Sequence, residues 1–277
     1  MRTFFVALVL SVGMPIPGLA QSPDPDKPRP IPIRDSVFIA DLTWMEVRDL
    51  IADGKDTAIV ASGGVEQNGP YLVTGKHNVL LRGVTEAIAR DLGNALVAPI
   101  LKLVPEGDFD PPTGHMRYPG TVGLSQETFR AVLRDVASSL KASGFRHVVF
   151  IGDSGGNQAG MKAVAEEMTA AWSGNPGVHY IPEYYDYGAI QAWLAERGVE
   201  QTPEGIHDDY AITSMMAVVD QNSIRTSERR QAGLFSINGV DVDPLDQTRA
   251  WGRRLFRYRA DVTAKAIRAV IEAHGTN

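Results

Sequence analysis

The stretch at 146–172, "RHVVFIGDSGGNQAGMKAVAEEMTAAW", limits the possible folds more than any other. An apolar run of strand length ends in a glycine-rich turn and passes directly into a segment with helical spacing. The same order recurs along the chain. "DTAIVAS" at 56–62 ends in Gly63 and Gly64, and "VLLRGVTEAIARDLG" at 79–93 follows with helical periodicity. "ALVAPILKLV" at 95–104 is strand-like. "SQETFRAVLRDVASSLKASG" at 125–144 is an amphipathic helix with Ser125 as N-cap and Gly144 as its stop. A short strand is expected at 178–182, and helices near 187–197, 208–219 and 246–274. This alternation predicts a mostly parallel sheet with helices on both faces. In such sheets sites gather at the loops beyond the carboxyl ends of the strands. The loops concerned are 63–78, 104–121 and 152–157, and they hold most of the candidate chemistry.

The first twenty residues read as a signal peptide. Arg2 gives a short positive start, Phe4 to Met14 an apolar run too short to span a bilayer, and "GLA" a small-residue cleavage site ending at Ala20. A periplasmic or secreted location is therefore expected. Residues 21–34 are proline-rich and are expected to be a flexible arm, leaving 35–277 as one domain. A net charge of −6 with no basic stripe argues against nucleic acid as a partner. The absence of cysteine excludes a disulfide framework, thiol catalysis and cysteine-ligated metal. No later apolar run is long enough for a membrane span.

"GDSGG" at 152–156 raises the possibility of a serine nucleophile. Trypsin-like proteases carry these letters on an all-β fold, which the alternation here rules out. A nucleophile elbow G-x-S-x-G matches letter for letter, and Ser154, Glu204 and His207 stand in the chain order of such a triad. The competing reading is that glycine-rich turns after strands carry Ser or Asp as helix caps.

Read together, the loops resemble the creatininase (creatinine amidohydrolase) family. The family segment G-x-x-E-Q-H-G-P-H-L-P-x-x-x-D corresponds to "GGVEQNGPYLVTGKH" at 63–77, and H-M-x-F-P-G-T-x-x-L-S-x-E-T to "HMRYPGTVGLSQET" at 115–128. The strand ending N-G-H-G-G-N corresponds to "IGDSGGN" at 151–157, and H-A-G-x-x-E-T-S to "HDDYAITS" at 207–214. The resemblance implies a three-layer α/β/α sandwich, usually in homo-oligomers. It also implies a two-metal site that hydrolyses a C–N bond, with one ion activating water and the other polarising the carbonyl.

At the implied ligand positions this chain departs from the pattern. Glu66 is kept, but Asn68 replaces a His, His77 the metal-bridging Asp, Ser154 a His and Ile212 a Glu. The position of the catalytic His is kept as His207. A neutral Asn is a poor ligand, and an imidazole cannot bridge two ions as a carboxylate does. Carboxylates appear nearby at Asp153, Asp208 and Asp209. Glu66, His77, Asp153 and His207, with Asp208 as a further ligand or an orienting carboxylate, are thus expected to hold one divalent ion, Zn or Mn, rather than two. His207, Glu66 and Asp153 are the expected catalytic groups. Asn68, Glu106, His115, Ser154 and Asn157 are expected to contact a small-molecule substrate. The expected function is an exported amidohydrolase acting on a non-peptide C–N bond, cyclic amides included. A metal-free binding protein on the same fold and a Ser154 hydrolase are the alternatives. His77 could instead cap a helix beginning near Asn78, and His147, His179 and His274 have no expected role.

Overall fold

The computed structural model describes residues 24–275. The expected signal peptide at 1–20 lies outside them. The chain from Ile33 onward forms one compact unit, and the described residues before it belong to another. In that smaller unit, Lys27 N–H donates to the Asp24 carbonyl across a turn.

The first α-helix of the larger unit is α1 (Trp44–Ala52), which the sequence pattern alone does not announce. Its start is fixed by reciprocal bonds: the Thr43 hydroxyl accepts from Glu46 N, and the Glu46 carboxylate accepts from Thr43 N. Four parallel strands follow: β1 (Thr57–Ser62), β2 (Ala95–Val97), β3 (His147–Gly152) and β4 (Gly177–Tyr180). Their spatial order is β2-β1-β3-β4. β1 and β3 are buried along their full length, as continuous apolar strands in parallel sheets are. β2 is shorter than expected because the chain leaves the sheet after Val97 and touches it again at a bridge from Leu101 to Ser62.

Alternate residues of each strand face opposite layers. Ile59, Ala61, Val149 and Ile151 pack with α2 (Lys76–Leu92) and, later in the chain, α5 (Tyr187–Ala195), α6 (Tyr210–Val219) and α8 (Leu245–Gly275). Ala58, Val60, Val148 and Phe150 pack with α1, α3 (Gln126–Ala142) and α4 (Gly155–Ala171). The result is the three-layer α/β/α sandwich with an all-parallel four-stranded central sheet. A short helix α7 (Thr226–Gln231) and an antiparallel hairpin, β5 (Ser236–Ile237) with β6 (Val240–Asp241), lie between α6 and α8 in the chain. Because β2 flanks β1 on one side and β3 on the other, a crevice opens beyond the carboxyl ends of β1 and β3.

Candidate active site

Beyond the paired strand ends Ser62 and Gly152, three loops close over a cavity of about 760 Å³. The loop after β1 is tied back by Asn78, whose side chain accepts from Gly64 N and donates to Gly64 O. Asn78 is therefore a brace, and α2 begins two residues earlier, at Lys76, with Gly75 as N-cap. His77 lies inside the first turn of that helix and caps nothing. The loop after β2 folds on itself through His115 N to Glu106 O, 3.0 Å, and joins the first loop through Val122 N to Val65 O, 3.0 Å. The turn after β3 passes so close to this loop that a Cβ on Gly156 would stand 1.9 Å from the Pro105 carbonyl oxygen. Only glycine fits there.

At the centre lies Glu66, 2% exposed. Its Oε1 is 2.7 Å from His77 Nε2, 3.0 Å from His207 Nε2 and 3.7 Å from Lys76 Nζ. Its Oε2 is 3.4 Å from His115 Nε2. Three imidazoles from three segments thus converge on one carboxylate. Burial alone would push Glu66 up; hydrogen bonds from His207 and His77 and the charges of His77 and Lys76 outweigh it and hold the group ionised.

Behind this carboxylate runs a buried chain of charge. His77 Nδ1 is 2.8 Å from Asp153 Oδ2, and Arg259 of α8 donates to Asp153 Oδ1 at 2.5 Å. With a carboxylate oxygen against each ring nitrogen, His77 can satisfy both only by carrying two protons. Burial pushes His77 down, but the Asp153 charge and the two hydrogen bonds prevail and raise it. Burial likewise opposes ionisation of Asp153, which Arg259 and His77 nonetheless bring down to about 2.

The expected site residues fall into three groups. Glu66, His115 and His207 each offer a ligand atom within 4.8 Å of the others, the one such cluster among the described residues. His115, expected as a substrate contact, belongs to it; burial pushes its imidazole down, toward the neutral form that ligates metal. His77 and Asp153 stand directly behind, and both Asp153 oxygens are taken by His77 and Arg259, so Asp153 serves as an orienting carboxylate. Asp208 does not join the cluster. It accepts from the Thr213 hydroxyl and pairs with buried Arg229 at 3.2 Å, and burial pushes it up to about 6. Asp209 caps α6, accepting from Ile212 N.

Two expected substrate contacts have other work. The Asn157 amide donates to the Ser62 and Gly63 carbonyls, holding the β1 and β3 ends together. Asn68 donates to the Glu66 and Val73 carbonyls and shapes the loop. Ser154 and Glu106 do face the cavity. Ser154 Oγ donates to Glu106 Oε2 at 3.4 Å, while Glu106 Oε1 is buried without a hydrogen-bond partner among the described residues. Burial and the adjacent Glu66 charge push Glu106 up to about 9, so it is neutral and able to donate a hydrogen bond. The Ser154, Glu204 and His207 triad does not form: Glu204 accepts from Gly239 N on the hairpin, and His207 addresses Glu66.

Lys76 and Arg259 are site residues that the sequence pattern does not single out. A lysine at a helix start reads as a surface charge. Arg259 carried a signal, since it lies four residues from both Leu255 and Thr263 on the buried face of α8.

A model of the family described as Creatininase, creatinine amidohydrolase, matches residues 40–267. The chain belongs to the creatininase family. A creatinine amidohydrolase of Pseudomonas putida is 28% identical over 116 residues, which is 42% of this chain and 44% of that protein. The matched stretch thus spans less than half of that relative. Among solved structures, one named Creatininase Mn superposes with a TM-score of 0.63 at 21% identity, covering 84% of this chain and 98% of that one. A creatininase variant of Zn–Zn type superposes with a TM-score of 0.61 at 21% identity, over 85% and 98% of the two chains. At this identity the superpositions establish the creatininase fold for the chain.

Glu66, His115 and His207 are a candidate ligand set for a divalent ion. A carboxylate and two imidazoles form a competent mixed set. Asp153 is engaged with Arg259, and Asn68, at the position of an expected ligand, is turned to the backbone.

Proposed function

We propose that this chain hydrolyses a C–N bond, of the amide type, in a small molecule held in the cavity beyond β1 and β3. Family membership supports the reaction class, and the convergence of His77, His115 and His207 on Glu66 carries the assignment of the site. Glu66, His115 and His207 would hold one ion, Zn²⁺ or Mn²⁺, which when bound supplies a Lewis acid and an acidified water. Asp153 holds the Nδ1 proton of His77 and so aims Nε2 at Glu66. His207, with its side chain 46% exposed, would close the ligand set from the solvent side of the cavity. Ser154 and neutral Glu106 offer hydrogen bonds to a ligand's polar atoms. The N-terminal stretch supports export, which the mass of mature protein beginning at Gln21 checks.

A second reading, a metal-free binding protein, is favoured by one observation: the buried cations Lys76 and Arg259 already stand beside Glu66 and Asp153. Metal analysis of protein purified without chelators separates the two. The hydrolase reading expects up to one ion per chain and a melting temperature raised by Mn²⁺ or Zn²⁺. At a free concentration about 100 times Kd the stabilisation is about 2.7 kcal/mol. Glu66→Gln should abolish both responses. Protein with no bound metal and no shift on adding either ion would exclude a metal-dependent hydrolase.

A further inference from the structure

Lys76 occupies a position that every simple consideration disfavours. It is the first residue of the 17-residue helix α2, where the helix dipole repels a cation. Its side chain is only 5% exposed, so its charge has lost most of its hydration. It makes one ion pair, 3.7 Å to Glu66 Oε1, and no side-chain hydrogen bond among the described residues. Yet it lines the cavity beside the central carboxylate. A buried ammonium with unused donors, held against the dipole and aimed at the central carboxylate, is placed for the charge it brings. Arg259 repeats the arrangement one layer deeper against Asp153. Glu66 and Asp153, the two buried carboxylates on either side of His77, therefore each have a cation supplied by the chain itself.

We propose that Lys76 is a resident cation of the site: it stands electrostatically for a second metal ion, so that the chain accepts at most one divalent ion and binds that one weakly. The ammonium lies against Glu66 Oε1, an atom of the candidate ligand set, and its charge opposes an arriving ion at close range. This inference rests on the metal-centre reading above, and the experiment keeps the two apart. Mn²⁺ and Zn²⁺ are titrated by calorimetry into the full-length mature protein, Lys76→Met and Lys76→Arg, with circular dichroism and the metal-free melting temperature confirming that each variant is folded. Lys76→Gln serves if the methionine variant does not fold.

The expected result is a Kd lowered about tenfold or more in Lys76→Met, a change of about 1.4 kcal/mol or larger, with Lys76→Arg near wild type. Binding to Lys76→Met alone would support the resident cation and leave the wild-type protein metal-free. Equal affinity in wild type and Lys76→Met would overturn the inference while keeping the metal centre. Two ions per chain in the wild type would overturn it too. No binding to any of the proteins would overturn both.

Discussion

Asp153 and Arg259 are 0% and 1% exposed, and each has the other as its principal opposite charge. Removing one partner of so enclosed a pair leaves a buried charge without its main counter-charge, with only His77 still beside Asp153. Arg259→Met should therefore cost about 3–5 kcal/mol of stability, and Asp153→Asn a comparable amount, by chemical denaturation. Combining the two substitutions should recover part of the loss, because the orphaned charge is gone; additive losses would contradict the pairing. These residues also mark the limit of what single letters disclose. Glu66 and His207 were legible because they sit in ordered blocks of matching sequence. Asp153 was legible as a residue of the site but not as the partner of Arg259, since that contact joins positions 106 apart through the packing of α8. His115 was visible, but its place beside Glu66 depends on how the loop after β2 folds over the loop after β1.

Close packing between α6 and α8 has its own test. A Cβ on Gly252 would lie 2.1 Å from the Ser214 carbonyl oxygen, a backbone atom that cannot swing aside. Gly252→Ala should destabilise by about 1–3 kcal/mol through forced separation of the two helices. At Gly75, where φ is −91° and an added methyl would meet nothing within 4 Å, the same change should be close to neutral. Thermal melts of the two variants decide this. Strand–helix alternation made the sandwich readable, and the start of α3 followed from its Ser125 cap, whereas α4, expected from residue 158, begins at Gly155 inside the glycine turn. What escaped were elements whose cue is short or indirect. α1 is announced only by the Thr43–Glu46 box, and the two-residue strands of the hairpin are too brief for periodicity to register. The strand-like run at 95–104 yields a strand of only three residues and an isolated bridge at Leu101, while Ala98 and Val104 are buried in the core beneath α3 and α4.

At the end of the sheet opposite the site, His147, His179 and His274 gather with ring centroids 5.3–5.8 Å apart. Burial, then the charges of His147 and His274, push His179 from an ordinary 6.5 down to about 4; Asp56 and Arg146 also bear on His147. Above pH 6.5 the folded and unfolded forms are both neutral and the stabilisation is complete. As pH falls from 6.5 toward 4 the unfolded chain gains a proton that the folded chain refuses, and stability is lost. The melting temperature should drop across this window, and the drop should be smaller in His179→Gln. An identical profile in the two proteins would remove the cluster as the cause.

The 31-residue α8 joins these two ends, carrying His274 near its terminus and Arg259 near its middle. This has a consequence for biogenesis. On the ribosome Asp153 emerges 106 residues before the guanidinium that neutralises it, so every shorter nascent chain holds a carboxylate that cannot yet be enclosed. The charge buried behind the pocket is therefore balanced by Arg259 only once the final helix has docked.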